Sequence, residues 1–127
     1  MKNKRTYQGF KDLIVYQKAF ALSIEIFNLT KSFPKEEKYA LTDQIRRSSR
    51  SVGSNIAESW PGRKYEKAFI AKLIDSQSEA CETIHWLDES HVLGYIEKDK
   101  LNELSELTLE VQRMLESIIQ NPKKFCF

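Results

Sequence analysis

The sequence predicts an all-α single domain, an antiparallel up-and-down four-helix bundle, and three observations lead there. Four long segments repeat apolar residues at three- and four-residue spacing, the signature of helices with a buried face. Only 4 glycines and 3 prolines interrupt the 127 residues. Hydrophobic residues make up 41% and charged residues 30%, a balance that favours helices over strands and turns. A chain of this length builds one core and buries about two-thirds of its unfolded surface.

Residues 1–9 carry Lys2, Lys4 and Arg5 with no apolar pattern, so they are expected to form a loose basic arm. Helix one is expected from about Leu13 to Thr30, with Asp12 as its N-terminal cap. It has two apolar sets on different faces. One is Leu13, Tyr16, Phe20, Ile24 and Phe27; the other is Val15, Ala19, Leu22, Ile26 and Leu29. Two readings follow: one set makes a subunit interface, or both belong to a wide core-facing stripe.

Ser32-Phe33-Pro34 ends that pattern, and helix two is expected from about Pro34 to Ser59. Glu36 and Glu37 suit its N-terminal dipole. Leu41, Ile45, Ser48, Val52 and Ile56 keep helical spacing, although five serines and Gly53 between Leu41 and Ser59 lower its intrinsic propensity. Packing has to offset that cost, and small side chains let a neighbouring helix approach. Pro61-Gly62 marks a turn before helix three, about Lys64 to Val92, with Phe69, Leu73, Ser76, Ala80, Ile84, Leu87 and His91 inward. Leu93-Gly94-Tyr95 places glycine just beyond that helix end. Helix four is expected from about Lys98 to Gln120, with Leu101, Leu104, Leu107, Val111, Met114, Leu115 and Ile118 inward. Asn121-Pro122 ends it, and residues 121–127 are expected to be a loosely ordered tail.

Several function classes find no support. The net charge of +2 does not announce a nucleic-acid binder, so any basic site must come from local clustering. Cys81 and Cys126 are too few for a disulfide framework or a zinc site, which favours a reducing, cytoplasmic setting. No signal-peptide core and no apolar run of about 18 residues is present, so no membrane partner is expected. No nucleophile triad, phosphate loop or paired-cysteine motif is found, and no enzymatic activity is expected. Glu82 and His85 match one half of a carboxylate-bridged di-iron motif, but His91, on the same helix, cannot complete it. Cys81, His85 and Glu89 share a helix face without a second cluster. Neither metal nor cofactor is expected.

The candidate binding residues are arginines. With the apolar positions of helix two inward, Arg46 and Arg50 share an outer face with Gly53 and Ala57, while Arg47 lies on the flank of Ser51, Ser54 and Glu58. Arg63 and Lys64 extend the set at the start of helix three. These side chains meet nucleic-acid phosphates, form ion pairs at a subunit interface, or divide between the two roles, one arginine structural while another stays exposed. Asn55, Glu58 and Glu79 are assigned structural polar roles, Asn55 by fixing register against another helix or the chain turn. Trp60 and Tyr65, beside the Pro61-Gly62 turn, are the better candidates for stacking on bases; Phe69 and Trp86 are expected in the core. The acidic outer face of helix four would oppose nucleic acid on that side.

Three stretches carry a family resemblance: Asp12 to Ala19, Gln44 to Ser49, and Ser51 to Glu58. Phe69-Ile70, Ser76, Glu79, Leu93-Gly94-Tyr95 and Arg113-Met114-Leu115 add to it. The chain resembles, over about residues 10–120, the bacterial four-helix bundle proteins first noticed in intervening sequences of 23S ribosomal RNA genes. Tyr16, Arg50, Ser59 and Asp75 depart from the usual pattern of that family. The resemblance implies a barrel-like homopentamer, hence assembly as a ring. A related branch, the accessory proteins of diversity-generating retroelements, binds nucleic acid and a reverse transcriptase; most other members have no established activity. Two functional expectations result. One is a ring presenting the helix-two arginines to RNA, DNA or a nucleoprotein; the other is a structural or protein-recruiting scaffold with those arginines in subunit contacts.

Overall fold

A computed structural model describes residues 7–127; the basic residues of the predicted arm, Lys2, Lys4 and Arg5, lie outside the described residues. Among the described residues the regular structure is helical throughout, with four long helices. These are α1 (Ile14–Thr30), α2 (Leu41–Ser59), α3 (Glu66–Val92) and α4 (Lys98–Gln120).

The inward positions follow a seven-residue repeat. Phe69, Ser76, Thr83 and Ser90 recur on α3 together with Leu73, Ala80 and Leu87, and all are buried. On α4 the buried residues are Leu101, Leu104, Thr108, Val111 and Leu115. Such spacing keeps one seam facing its neighbours along the helix. It also corrects the expected core. Ile84, His91, Leu107, Met114 and Ile118 are only half-buried, and the hydroxyl residues Thr83, Ser90 and Thr108 go inside.

These hydroxyls tolerate burial because the preceding turn supplies an acceptor. Thr108 donates to the Leu104 carbonyl at 2.7 Å and Ser90 to that of Trp86 at 2.7 Å. Ser76 instead reaches across to the Val52 carbonyl at 2.7 Å, and Thr83 lies 3.0 Å from Ser48 Oγ. A polar waist thus separates two apolar clusters. Leu22, Ile26, Leu41, Ile45, Leu87 and Leu104 belong to one, and Val15, Val52, Ile56, Phe69, Val111 and Leu115 to the other.

Element ends differ from expectation in three places. Asp12 does not cap α1: it lies in a 3-10 turn (Phe10–Asp12) and accepts the Gln8 N–H, while Leu13 holds the capping position. Between Pro34 and Leu41 runs a 3-10 turn (Lys35–Glu37) rather than helix, because burial of both Phe33 and Leu41 makes the chain turn there, with Ala40 at φ −126° and ψ −105°. Glu37 ties this turn down, accepting the Leu41 N–H and the Tyr95 hydroxyl. Residues 121–127 are not a loose tail. They form a 3-10 turn (Pro122–Lys124), and Phe125 packs on Tyr7 and Phe69 with ring centroids 5.6 and 6.2 Å apart.

Candidate assembly and cation face

α1 resolves its two apolar sets by burying one. Val15, Ala19, Leu22 and Ile26 face the core together with Leu13. Tyr16 and Phe27 are half-buried, and Phe20 and Ile24 stay 54% and 46% exposed. An aromatic and aliphatic stripe therefore runs along the shoulder of α1 beside α2. There α2 presents Gly53, whose Cα side approaches Ala19, Tyr16 and Phe20, so the face carrying Arg46, Arg50, Gly53 and Ala57 is not an outer one along its whole length. Tyr16, Phe20, Ser23, Arg50, Gly53, Ser54 and Ala57 line a shallow groove of about 330 Å³.

The arginines do not form one patch. Arg46 Nε donates to Thr30 Oγ1 at 2.8 Å, and its guanidinium stacks 4.6 Å from the Phe27 ring centre, which makes it a strut between α2 and α1. Arg50 is exposed at the groove, 5.8 Å from the same ring. Arg47 is exposed on the opposite flank, near Glu79 of α3. Arg63 sits at the α2–α3 turn, where Nε donates to the Trp60 carbonyl at 2.8 Å and the guanidinium stacks 3.6 Å from Trp60 and 5.0 Å from Phe127. Burial lowers its pKa from the usual arginine value. Trp60, covered by Arg63 and by Tyr7 at 6.0 Å, is therefore not the open stacking platform expected; Tyr65 and Lys64 are exposed. Among the described residues, no carboxylate lies within ion-pair distance of Arg46, Arg47, Arg50 or Arg63.

The three residues expected to play structural polar roles have different surroundings. Asn55 Nδ2 donates to the Ser51 carbonyl of its own helix at 2.9 Å, and among the described residues its side chain is hydrogen-bonded to no other helix. Glu58 does cross, pairing with Lys72 of α3 at 2.8 Å. Glu79 lies half-buried, and burial, followed by the Glu82 carboxylate, pushes its carboxyl above the usual range while Arg47 acts in the other direction. His85 Nε2 lies 3.8 Å from Glu89, Cys81 is contacted by Gln112, and both cysteines are free. Among the described residues, no three His, Cys, Asp or Glu side chains are grouped to hold a metal ion, and no helix is long and apolar enough to cross a membrane.

The family model for the 23S rRNA-intervening sequence protein matches residues 11–117, from the entry of α1 to the last turns of α4. The chain belongs to this family. One solved structure has the same fold and is similar in sequence, a protein of unknown function from the S23 ribosomal protein family of Bacteroides thetaiotaomicron. It aligns with a TM-score of 0.77 and 31% identity, over 85% of this chain and 96% of that one. Among curated proteins no match to the chain is found. Neither the family description nor the structural relative carries an assigned activity, so function has to be argued from the faces the bundle exposes.

Sequence reasoning identified the α1 stripe and the arginines, but it missed the Arg46–Phe27–Thr30 strut and the Arg63–Trp60 stack. The first joins residues 16 and 19 positions apart that meet only when α2 docks on α1; the second lies inside the 3-10 turn Trp60–Lys64, where partners three residues apart are brought together locally. The one available signal was an arginine beside a seam that also carries an aromatic residue.

Proposed function

We propose that this chain is a non-enzymatic assembly unit, an antiparallel up-and-down bundle that associates with copies of itself into a ring through the shoulder of α1 and α2. The family resemblance suggests a pentamer. The observation that carries the reading is the stripe of Tyr16, Phe20, Ile24 and Phe27, which stays partly open after α1 has contributed a full apolar face to its own core. Side chains of this size contribute about 1.5–3 kcal/mol each when fully buried, so covering the stripe is a substantial driving force. The antiparallel order is supported by the register of α2 and α3: partners move from Val52 back to Ser48 as α3 advances from Ser76 to Thr83. Free cysteines favour a cytoplasmic setting for the assembly.

Sedimentation velocity of the wild type and of Phe20→Asp tests this reading. The expected outcome is a wild-type assembly that the substitution converts to a monomer of unchanged helix content. A wild type that stays monomeric at high concentration removes the proposal.

A nucleic-acid role within the same ring is the second reading, favoured by the exposed Arg47 and Arg50, which lack carboxylate partners among the described residues. Repetition around a ring turns two weak cations per copy into a multivalent surface. Fluorescence anisotropy with mixed RNA and DNA oligonucleotides between about 50 and 200 mM salt is the measure. Affinity that falls with salt and is weakened by Arg47→Ala with Arg50→Ala supports it; no binding at low salt leaves the scaffold alone.

A further inference from the structure

A pocket of about 240 Å³ lies between the start of α1 and the end of α4. Leu13 and Val15, both buried, line it from the α1 entry, and Met114 and Ile118 line it from α4. Tyr7, which precedes α1, and Phe125, which follows α4, complete its apolar wall. The pocket shares no residue with the α1–α2 groove.

Size limits what can enter. An apolar cavity of about 150 Å³ holds a benzene ring, so this pocket has space for one aromatic ring with a short chain attached. The wall suits such a ring. Tyr7 and Phe125 already associate with centroids 5.6 Å apart, and aromatic rings and the Met114 thioether both make favourable contacts with a further ring.

Charge selects the other end of the occupant. Among the described residues that line the pocket, Asp12 alone carries a charge at neutral pH. It is half-buried, and its Oδ2 accepts the Gln8 N–H at 2.7 Å. One N–H leaves a carboxylate with acceptor capacity to spare. Among the described residues no cation lies within ion-pair distance of Asp12. Lys11, its neighbour in sequence, lines a different hollow with Tyr16, Gln17 and Phe20. The N-terminal end of α1 contributes about half a positive charge, less than the whole negative charge of the carboxylate, so the balance favours a cation.

We propose that this pocket binds an arylalkylamine, with the aromatic ring among Leu13, Met114 and Phe125 and the primary ammonium group at Asp12. The inference stands apart from self-association, because the pocket lies on other residues. Its occupant would touch segments on both sides of the bundle's chain ends, Tyr7 before α1 and Phe125 after α4, and fasten them together. Tyr7 also lies 6.0 Å from Trp60, edge to face, which places an indole reporter next to the pocket wall.

Titration calorimetry of the full chain at neutral pH tests this, with phenethylamine, phenethyl alcohol and hydrocinnamate as probes of one size and three charges. The amine is expected to bind at least about tenfold more tightly than the alcohol, and the carboxylate more weakly than either. Asp12→Asn should bring the amine down to the level of the alcohol and leave the alcohol unchanged. Ile14→Lys, at a 54% exposed position on the pocket rim, should weaken the amine equally and serves if Asp12→Asn disturbs the α1 entry. In heteronuclear NMR the Trp60 indole signal should move on adding the amine while that of Trp86 stays. An amine that binds no better than the alcohol, a carboxylate that binds best, no amine binding in the millimolar range, or a response at Trp86 alone overturns the inference. Amine affinity that falls as protein concentration rises gives the pocket to a second copy and overturns it as well.

Discussion

Gly53 occupies the place where α2 comes nearest to α1, yet the space beside it is ordinary. A Cβ there would lie 3.8 Å from the Ala19 Cβ and 3.8 Å from Tyr16 Cε1, normal van der Waals distances. Glycine inside a helix costs about 1 kcal/mol relative to alanine, so Gly53→Ala should stabilise the protein by up to that amount in urea denaturation. Gly94 should behave in the opposite way. Its φ of 83° lies in the left-handed region, and Gly94→Ala should cost about 1–2 kcal/mol. A loss at Gly53 equal to that at Gly94 would contradict this account of the seam. Arginine shows the same dependence on place. Arg46 and Arg50 lie one helical turn apart, yet one is a strut to Thr30 and the other is exposed.

Among the elements, α3 carries the main electrostatic liability. A carboxyl whose folded pKa is raised binds its proton more tightly in the native state than in the unfolded chain. Its contribution to stability is then present below the ordinary carboxylate pKa and is lost as pH rises through the raised native value. For Glu79 the raised value follows from burial first and Glu82 second. Glu79→Gln should therefore raise the thermal midpoint at pH 7, and that advantage should fade as the pH falls to about 4. The comparison belongs on the Phe20→Asp background, where no second copy contributes; an unchanged difference across the range would refute it. The C-terminal segment is an element with its own role. Phe125 rests on Phe69 and Tyr7, and the Phe127 N–H donates to the Arg63 carbonyl at 3.3 Å. Truncation after Asn121 should cost about 2 kcal/mol, the order of one buried aromatic side chain, and should raise the fluorescence sensitivity of Trp60 to quenchers.

For the whole molecule, the polar waist poses a question about cooperativity. Leu22 and Leu115 are fully buried in different apolar clusters. Leu22→Ala and Leu115→Ala should each cost about 3 kcal/mol, and the double variant about the sum, since the sites share no neighbours. All four helices run through the waist, and α2 and α3 are tied there by the Ser76 and Thr83 hydroxyls. Unfolding should therefore remain a single transition in calorimetry and circular dichroism; two resolved transitions would show that the waist divides the bundle into separately folding halves.

The helices themselves were legible in the residues, because periodicity is a local property. Leu41, Ile45, Ser48, Val52 and Ile56 declare the buried face of α2 through neighbours three or four positions away, and all five are buried. Gly94 likewise declares the end of α3. Other features were not legible for the same reason in reverse. Ser90 and Thr108 look polar in sequence but satisfy themselves on the preceding turn, so they can enter a core that their polarity seems to forbid. The start of α2 was placed too early because Pro34 and the following glutamates resemble a helix entry, whereas the burial of Phe33 and Leu41 forces a turn between them.

By itself the sequence determined four amphipathic helices and a second apolar set on α1. Only the tertiary structure decided which set of α1 is buried, which arginine is spent on an aromatic ring, and which faces of α1, α2 and α3 are left for another molecule. Docking between helices joins residues far apart in the chain, and no local pattern records which partner each face will meet.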